Sequence, residues 1–175
     1  MKYSDINTIS GYKADEVISA LQKEIRRGKF EEASFFALEL LESDLENKLW
    51  ERLQVIAVED VADNECATQV RNLKLTYYEL KDAKICDKFM QALKAVQILA
   101  NAKKDRIISE LYDYLKIKRK EGYKISIPEY AIDKHTKKGK EQGKDYKHFL
   151  NVSAKVNNEN PSREKKYNDF LKQHS

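Results

Sequence analysis

Only five glycines and two prolines punctuate 175 residues. A chain with so few turn-formers cannot build a sandwich or barrel from many short strands, each bounded by its own turn. Its elements must be long, and its apolar residues recur at helical spacing. Val17, Leu21 and Ile25 repeat every four positions, and Arg26, Arg27 and Gly28 supply a C-terminal stop, which predicts a first helix over 14–27. A second, over 30–41, carries Phe35, Phe36, Leu38, Leu40 and Leu41 and is apolar on most sides, as a central helix would be. Ser43 or Asp44 caps a third that runs to 61 with Leu45, Leu49, Leu53, Ile56 and Ala57 as its stripe and Trp50 beside it. Asp63 or Asn64 caps a fourth to 80, with Val70, Leu73, Leu75 and Tyr77. A fifth covers 85–100 with Phe89, Leu93, Val96 and Leu99, and a sixth 105–119 with Ile108, Leu111 and Leu115.

The pattern then breaks. Residues 120–143 hold three of the five glycines, Pro128, and a possible extended piece at Ile125 and Ile127. The stretch 134–144 is almost wholly polar and reads as an exposed loop or frayed helix. A seventh helix is expected over 145–156, and Pro161 at an N1 position opens a last one. The expected architecture is all-α: about six packed helices over 12–119, a basic loop and docking helix of the same domain over 120–149, and a C-terminal extension over 150–175. The 41% of hydrophobic residues suffices for a core, and the 35% of charged residues makes the surface wet.

Charge is uneven. Residues 116–175 hold 16 Lys and Arg against 8 Asp and Glu, whereas residues 1–115 hold 17 against 21. A basic third attracts phosphates, and its bland counterpart is a solvated lysine surface. Lys134, Lys137, Lys138, Lys140, Lys144 and Lys147 cluster with His135, and these seven are the candidate nucleic-acid contacts. Arg163 is a weaker one.

Most chemistry lacks its motif. No apolar run is long enough to span a membrane, and the first residues carry no apolar signal core, so a cytoplasmic protein with no membrane partner is expected. Cys66 and Cys86 are too few for a disulfide scaffold or a zinc site and read as small core residues. The string from Gly139 to Asp145 is one residue short of a phosphate loop and has Asp where a hydroxyl must meet magnesium. His135 and His148 lack metal-ligand spacing, so neither metal nor cofactor is expected. Glu59 and Asp60 are adjacent on a helix and point about 100° apart, which favours bonds to a neighbouring helix over a shared metal. An enzyme would have to assemble Glu59, Asp60 and His135 from distant segments, and no catalytic residue is assigned. Tyr77 and Tyr112 sit at helical spacing and read as structural.

Two stretches carry a family resemblance. The first is Val17-Ile18-Ser19-Ala20-Leu21-Gln22-Lys23-Glu24-Ile25-Arg26-Arg27-Gly28, followed by Ala33, Leu38 and Leu41, by Ile56-Ala57-Val58-Glu59-Asp60-Val61, and by Leu99-Ala100-Asn101-Ala102-Lys103-Lys104. The second is Ile127-Pro128-Glu129-Tyr130-Ala131-Ile132-Asp133-Lys134-His135-Thr136-Lys137-Lys138-Gly139, with Tyr146-Lys147-His148-Phe149. Their order and spacing over 12–149 resemble the C-terminal helical region of the replication-associated recombination protein A family, clamp-loader-like AAA+ ATPases that include the Werner-interacting ATPase. Ala62-Asp63 and Lys103-Lys104-Asp105 depart from the family strings, and the ATPase module has no counterpart. The resemblance implies a helical, self-associating part (tetrameric in that family) of proteins that act at stalled replication forks and contact single-strand binding protein and DNA ends.

Two readings follow. One is a non-catalytic, self-associating accessory of DNA replication or recombination that binds nucleic acid through the basic loop. The other is a protein–protein adaptor that regulates a replication AAA+ ATPase without binding DNA, using the apolar second helix as its interface.

Overall fold

The structure is a computed structural model that describes residues 2–80 and 82–175. Among them there is no strand, only two isolated antiparallel bridges, Asn7 with Lys13 and Val61 with Lys104. The protein is all-α. Two units divide the chain, one ending at Lys118 and the other spanning Arg119–Ser175. Residues 120–149, expected to belong to the helical domain, fall with 150–175 in the second unit.

The first unit contains α1 (Ala14–Arg26), α2 (Phe30–Glu42), α3 (Glu46–Glu59), α4 (Glu65–Glu79), α5 (Ile85–Asn101) and α6 (Ile107–Lys120), whose last two residues cross into the second unit. Helix α1 buries Ala14, Val17, Ile18, Leu21 and Ile25, the predicted stripe. It ends where Gly28 takes φ +74°. There the Gly28 N–H donates to Ile25 O (3.0 Å) and the Lys29 N–H to Glu24 O (2.9 Å), a Schellman closure that a Cβ would strain.

Helix α2 packs against α1, α3 and α5 through Ala33, Ala37, Leu40 and Leu41. The small alanine face goes inward because it lets the helix axes approach closely, and Phe35 is left half exposed. Helix α3 buries Trp50 as well as Leu49, Leu53, Ile56 and Ala57. Trp50 meets Tyr77 of α4 edge-on at 5.5 Å, and burial pushes the Tyr77 phenol up to about 12. Cys66 joins this core and burial raises its thiol; Cys86, expected inside, is exposed on the first turn of α5. Each fully buried Leu or Ile contributes about 2 kcal/mol of transfer free energy.

Helix α6 does otherwise. It has the amphipathic stripe the sequence announces, yet it buries no side chain: Ile108, Leu111 and Leu115 stand 55%, 48% and 37% exposed, and Tyr112, expected to be structural, is open too. Helices α1–α5 close the core without it.

The expected caps of α3 do not form. The Ser43 hydroxyl instead donates to Glu39 O and accepts from the Ile9 N–H, and Asp44 turns the chain at φ +58°. At α4, Asp63 Oδ1 accepts from the Glu65 N–H at 2.9 Å. Glu39 is buried and grips the Thr8–Ser10 turn, accepting from the Ser10 N–H (2.8 Å) and hydroxyl (2.9 Å). Burial pushes its carboxyl up, but the donors of that turn outweigh it and hold the group below its ordinary 4.5.

The second unit is built from short pieces: a 3₁₀ turn at Glu129–Ala131, α7 (Lys137–Glu141), α8 (Tyr146–His148) widening into a π-helical turn at Phe149–Ser153, and α9 (Lys166–Gln173). The helix expected over 145–156 therefore stops at Ser153. Pro161 opens no helix, because Asn160 Oδ1 takes the Ser162 N–H and hydroxyl into a turn, and α9 starts at Lys166. No helix of the described residues is long and apolar enough to cross a membrane.

Candidate nucleic-acid interface

Within the second unit, the segment 129–149 is a knot of local hydrogen bonds. Asp133 is nearly buried, and its Oδ1 accepts from the His135 N–H at 2.9 Å. Its Oδ2 lies 3.0 Å from His135 Nδ1, and that bond holds the Asp133 carboxyl below the usual carboxylate range. The Thr136 hydroxyl donates to Asp133 O and accepts from the Gly139 N–H, capping α7. Gly139 has to be glycine: a Cβ there would sit 1.8 Å from Asp133 O.

This frame sorts the seven candidate contacts. Lys144 is drawn inward. Its ammonium donates to Glu129 Oε1 (2.6 Å) and Ile132 O (2.8 Å), and that bond keeps the Glu129 carboxyl below its ordinary range. It staples the loop. Lys134 lies over the Tyr146 ring with its Nζ 4.5 Å from the centroid. His135 packs edge-on to Phe149 at 5.0 Å, its imidazole oriented by Asp133. Lys137, Lys138, Lys140 and Lys147 are exposed, Lys137 with 92% of its side chain in solvent and only a long 3.8 Å pair to Glu141. Four lysines of the cluster are thus exposed, Lys137 beside Glu141, and Lys144 is not. Arg163, the weaker candidate, is paired with Glu159.

Glu59 and Asp60 lie in the first unit and do converge, though on cations of the protein. Helix α3 ends at Glu59, and the backbone turn at Asp60 brings the two carboxylates to one side. Asp60 is fully buried and accepts from Arg26 Nε (2.8 Å) and Nη2 (3.2 Å) and from Gln22 Nε2 (3.0 Å). Arg106 Nε lies 3.5 Å from it, while Glu59 takes Gln22 (3.0 Å) and Arg26 (3.4 Å). A buried carboxylate so satisfied is structural. Among the described residues no group of three His, Cys, Asp or Glu side chains could hold a metal ion. Beside this cluster, the Lys104 ammonium donates to the carbonyls of Leu99, Ala100 and Ala102 at the end of α5. Burial pulls its pKa down against the Asp60 charge.

No protein-family model and no curated protein matches the chain. The frame residues Glu129, Asp133 and Gly139 carry no charge pattern of their own that singles them out. The usable signals are the Asp-x-His-Thr string, which writes a side-chain-capped turn, and the glycine three residues after Thr136.

Proposed function

We propose that the protein is a non-catalytic, self-associating accessory module of DNA replication or recombination that holds nucleic acid through the exposed lysines of the α7 segment. The observation that carries this reading is the set Lys137, Lys138, Lys140 and Lys147, exposed on a unit with 14 Lys and Arg against 8 Asp and Glu. Phosphate neutralisation by such side chains is independent of base sequence and steeply dependent on salt. The replication context comes from the resemblance of the 17–61 and 127–149 strings to the recombination ATPase family. Single-strand binding protein and a replication AAA+ ATPase are the protein partners that resemblance brings.

Fluorescence anisotropy against a labelled single strand and a forked duplex, at low and physiological salt, tests it. Replacing Lys137, Lys138 and Lys140 by Glu is expected to weaken binding about tenfold or more at low salt and to reduce the log–log salt slope by about 2–3. Unchanged binding would sink the assignment. Lys144→Ala is not informative about DNA, since it unpins the loop. The adaptor reading, without DNA, draws support from the apolar surface left open on α6.

A further inference from the structure

Two tyrosines stand among the lysines of the second unit. Tyr146, on α8, is 37% exposed, and the Lys134 ammonium sits over its ring, 4.5 Å from the centroid. Phe149 stacks on the same ring at 6.0 Å and 19°, and His135 meets Phe149 edge-on at 5.0 Å, so the ring is braced. Tyr130, in the 3₁₀ turn at Glu129–Ala131, is 62% exposed. Its phenol makes no hydrogen bond and its ring no aromatic or cation contact among the described residues. That turn packs against the π-helical turn that begins at Phe149, and Lys144 anchors it through Glu129 Oε1 and Ile132 O. Exposed Lys147 follows Tyr146 directly in the chain.

We propose that this surface selects single-stranded nucleic acid, with unpaired bases stacked on the rings of Tyr146 and Tyr130 and the lysines on the phosphates. Resting on the nucleic-acid reading above, this names the form of nucleic acid that the lysines hold. Lysines alone favour a duplex, whose phosphates are denser along the axis and release more counterions. In a duplex, however, every base is stacked on its neighbours and offers no face to a side chain, whereas a single strand can turn its bases out. Exposed rings therefore reverse the preference that charge alone would set. The Lys134 contact is the point of exchange. An exposed cation–π contact is weaker than a base stacked on the same ring. A base that takes that face frees the ammonium to neutralise a phosphate of the strand. Stacking uses a face that all bases share, so no base sequence is preferred.

Three fluorescein-labelled probes of about fifteen units each test it on the whole chain at low salt: oligo(dT), an abasic strand with the same phosphates, and a duplex. Oligo(dT) is expected to bind about tenfold or more tighter than either of the others. Tyr146→Ala and Tyr130→Ala are each expected to weaken oligo(dT) about fivefold or more, with the abasic strand and the duplex unchanged. Tyr146→Phe, which keeps the ring, is expected to bind as the native chain does. Equal affinity for oligo(dT) and the abasic strand overturns the stacking and leaves the lysine contacts standing. An equal loss on all three probes in the alanine variants also overturns it, since the tyrosines would then only shape the loop. Absence of binding to every probe overturns the nucleic-acid reading and the stacking with it.

Discussion

The unit ending at Lys118 and the unit beginning at Arg119 are held by different physics. In the first, α1–α5 bring Leu21, Ile25, Leu40, Leu53 and Leu99 fully out of water around Trp50. In the second, Ile132 and Leu150 are the buried apolar side chains, and the order of 129–149 comes from Asp133, Thr136, Gly139 and Lys144 holding backbone groups. A segment this short cannot bury enough surface to fold on area alone. The contrast teaches that one region tolerates changes of identity that keep shape and polarity, whereas the other depends on particular atoms.

The largest effect is expected from Leu53→Ala, which opens a cavity in the first unit. It should cost about 3–4 kcal/mol in urea unfolding followed by tryptophan fluorescence. A loss under 1 kcal/mol would mean the α1–α5 core is not what stabilises that unit. Next comes Gly139→Ala. Its Cβ would collide with the Asp133 carbonyl, and the expected cost is about 1–3 kcal/mol. Hydrogen exchange should show protection lost over 132–149 while the first unit's melting is unchanged. Loss in both units together would erase the distinction between them.

A smaller effect separates a charged anchor from the apolar core around it. Folded Glu39 titrates below its ordinary 4.5, so its contribution to stability is complete above pH 4.5. It is lost as pH falls from there through the folded value. Thermal unfolding between pH 6 and 3 should fall less steeply for Glu39→Gln than for the native chain, and Ser10→Ala should cost about 1 kcal/mol near neutrality. Parallel pH curves would remove the Glu39 clamp. The smallest effect is expected from Leu111→Ala on α6, within about 0.5 kcal/mol in the free protein. A cost of 2 kcal/mol or more would place α6 in the core after all.

How much of this was legible in the sequence follows the same divide. Helix α1 could be read nearly residue by residue, because Val17, Leu21 and Ile25 set the period and Gly28 the stop. Helix α6 shows the limit of that signal: periodicity says which face is apolar and is silent on what meets it. In α2 the stripe reads Leu40 and Leu41 correctly, but Ala33 and Ala37 share the buried face with them while Phe36 only packs against the core half-buried and Phe35 stays exposed. Glu59 and Asp60, read as carboxylates that bond a neighbouring helix, do bond Gln22 and Arg26 of α1; the early end of α3 at Glu59, which brings them together, has no signal in the periodicity. Lys144 was counted with the phosphate-seeking lysines because a sequence displays charges and hides carbonyls. The oxygen of Ile132 that claims it exists only once the chain has turned.

The main-chain oxygen of Asp60 accepts from the Asp105 N–H, and its carboxylate faces the Arg106 guanidinium, the last residue before α6 begins. A helix with no core of its own is thus stepped like a mast, its foot fixed in the α1–α3 frame and its length bare. Whatever grips α6 therefore holds the first unit by Asp60, the one buried carboxylate that also ties Arg26 and Gln22 of α1 to the end of α3.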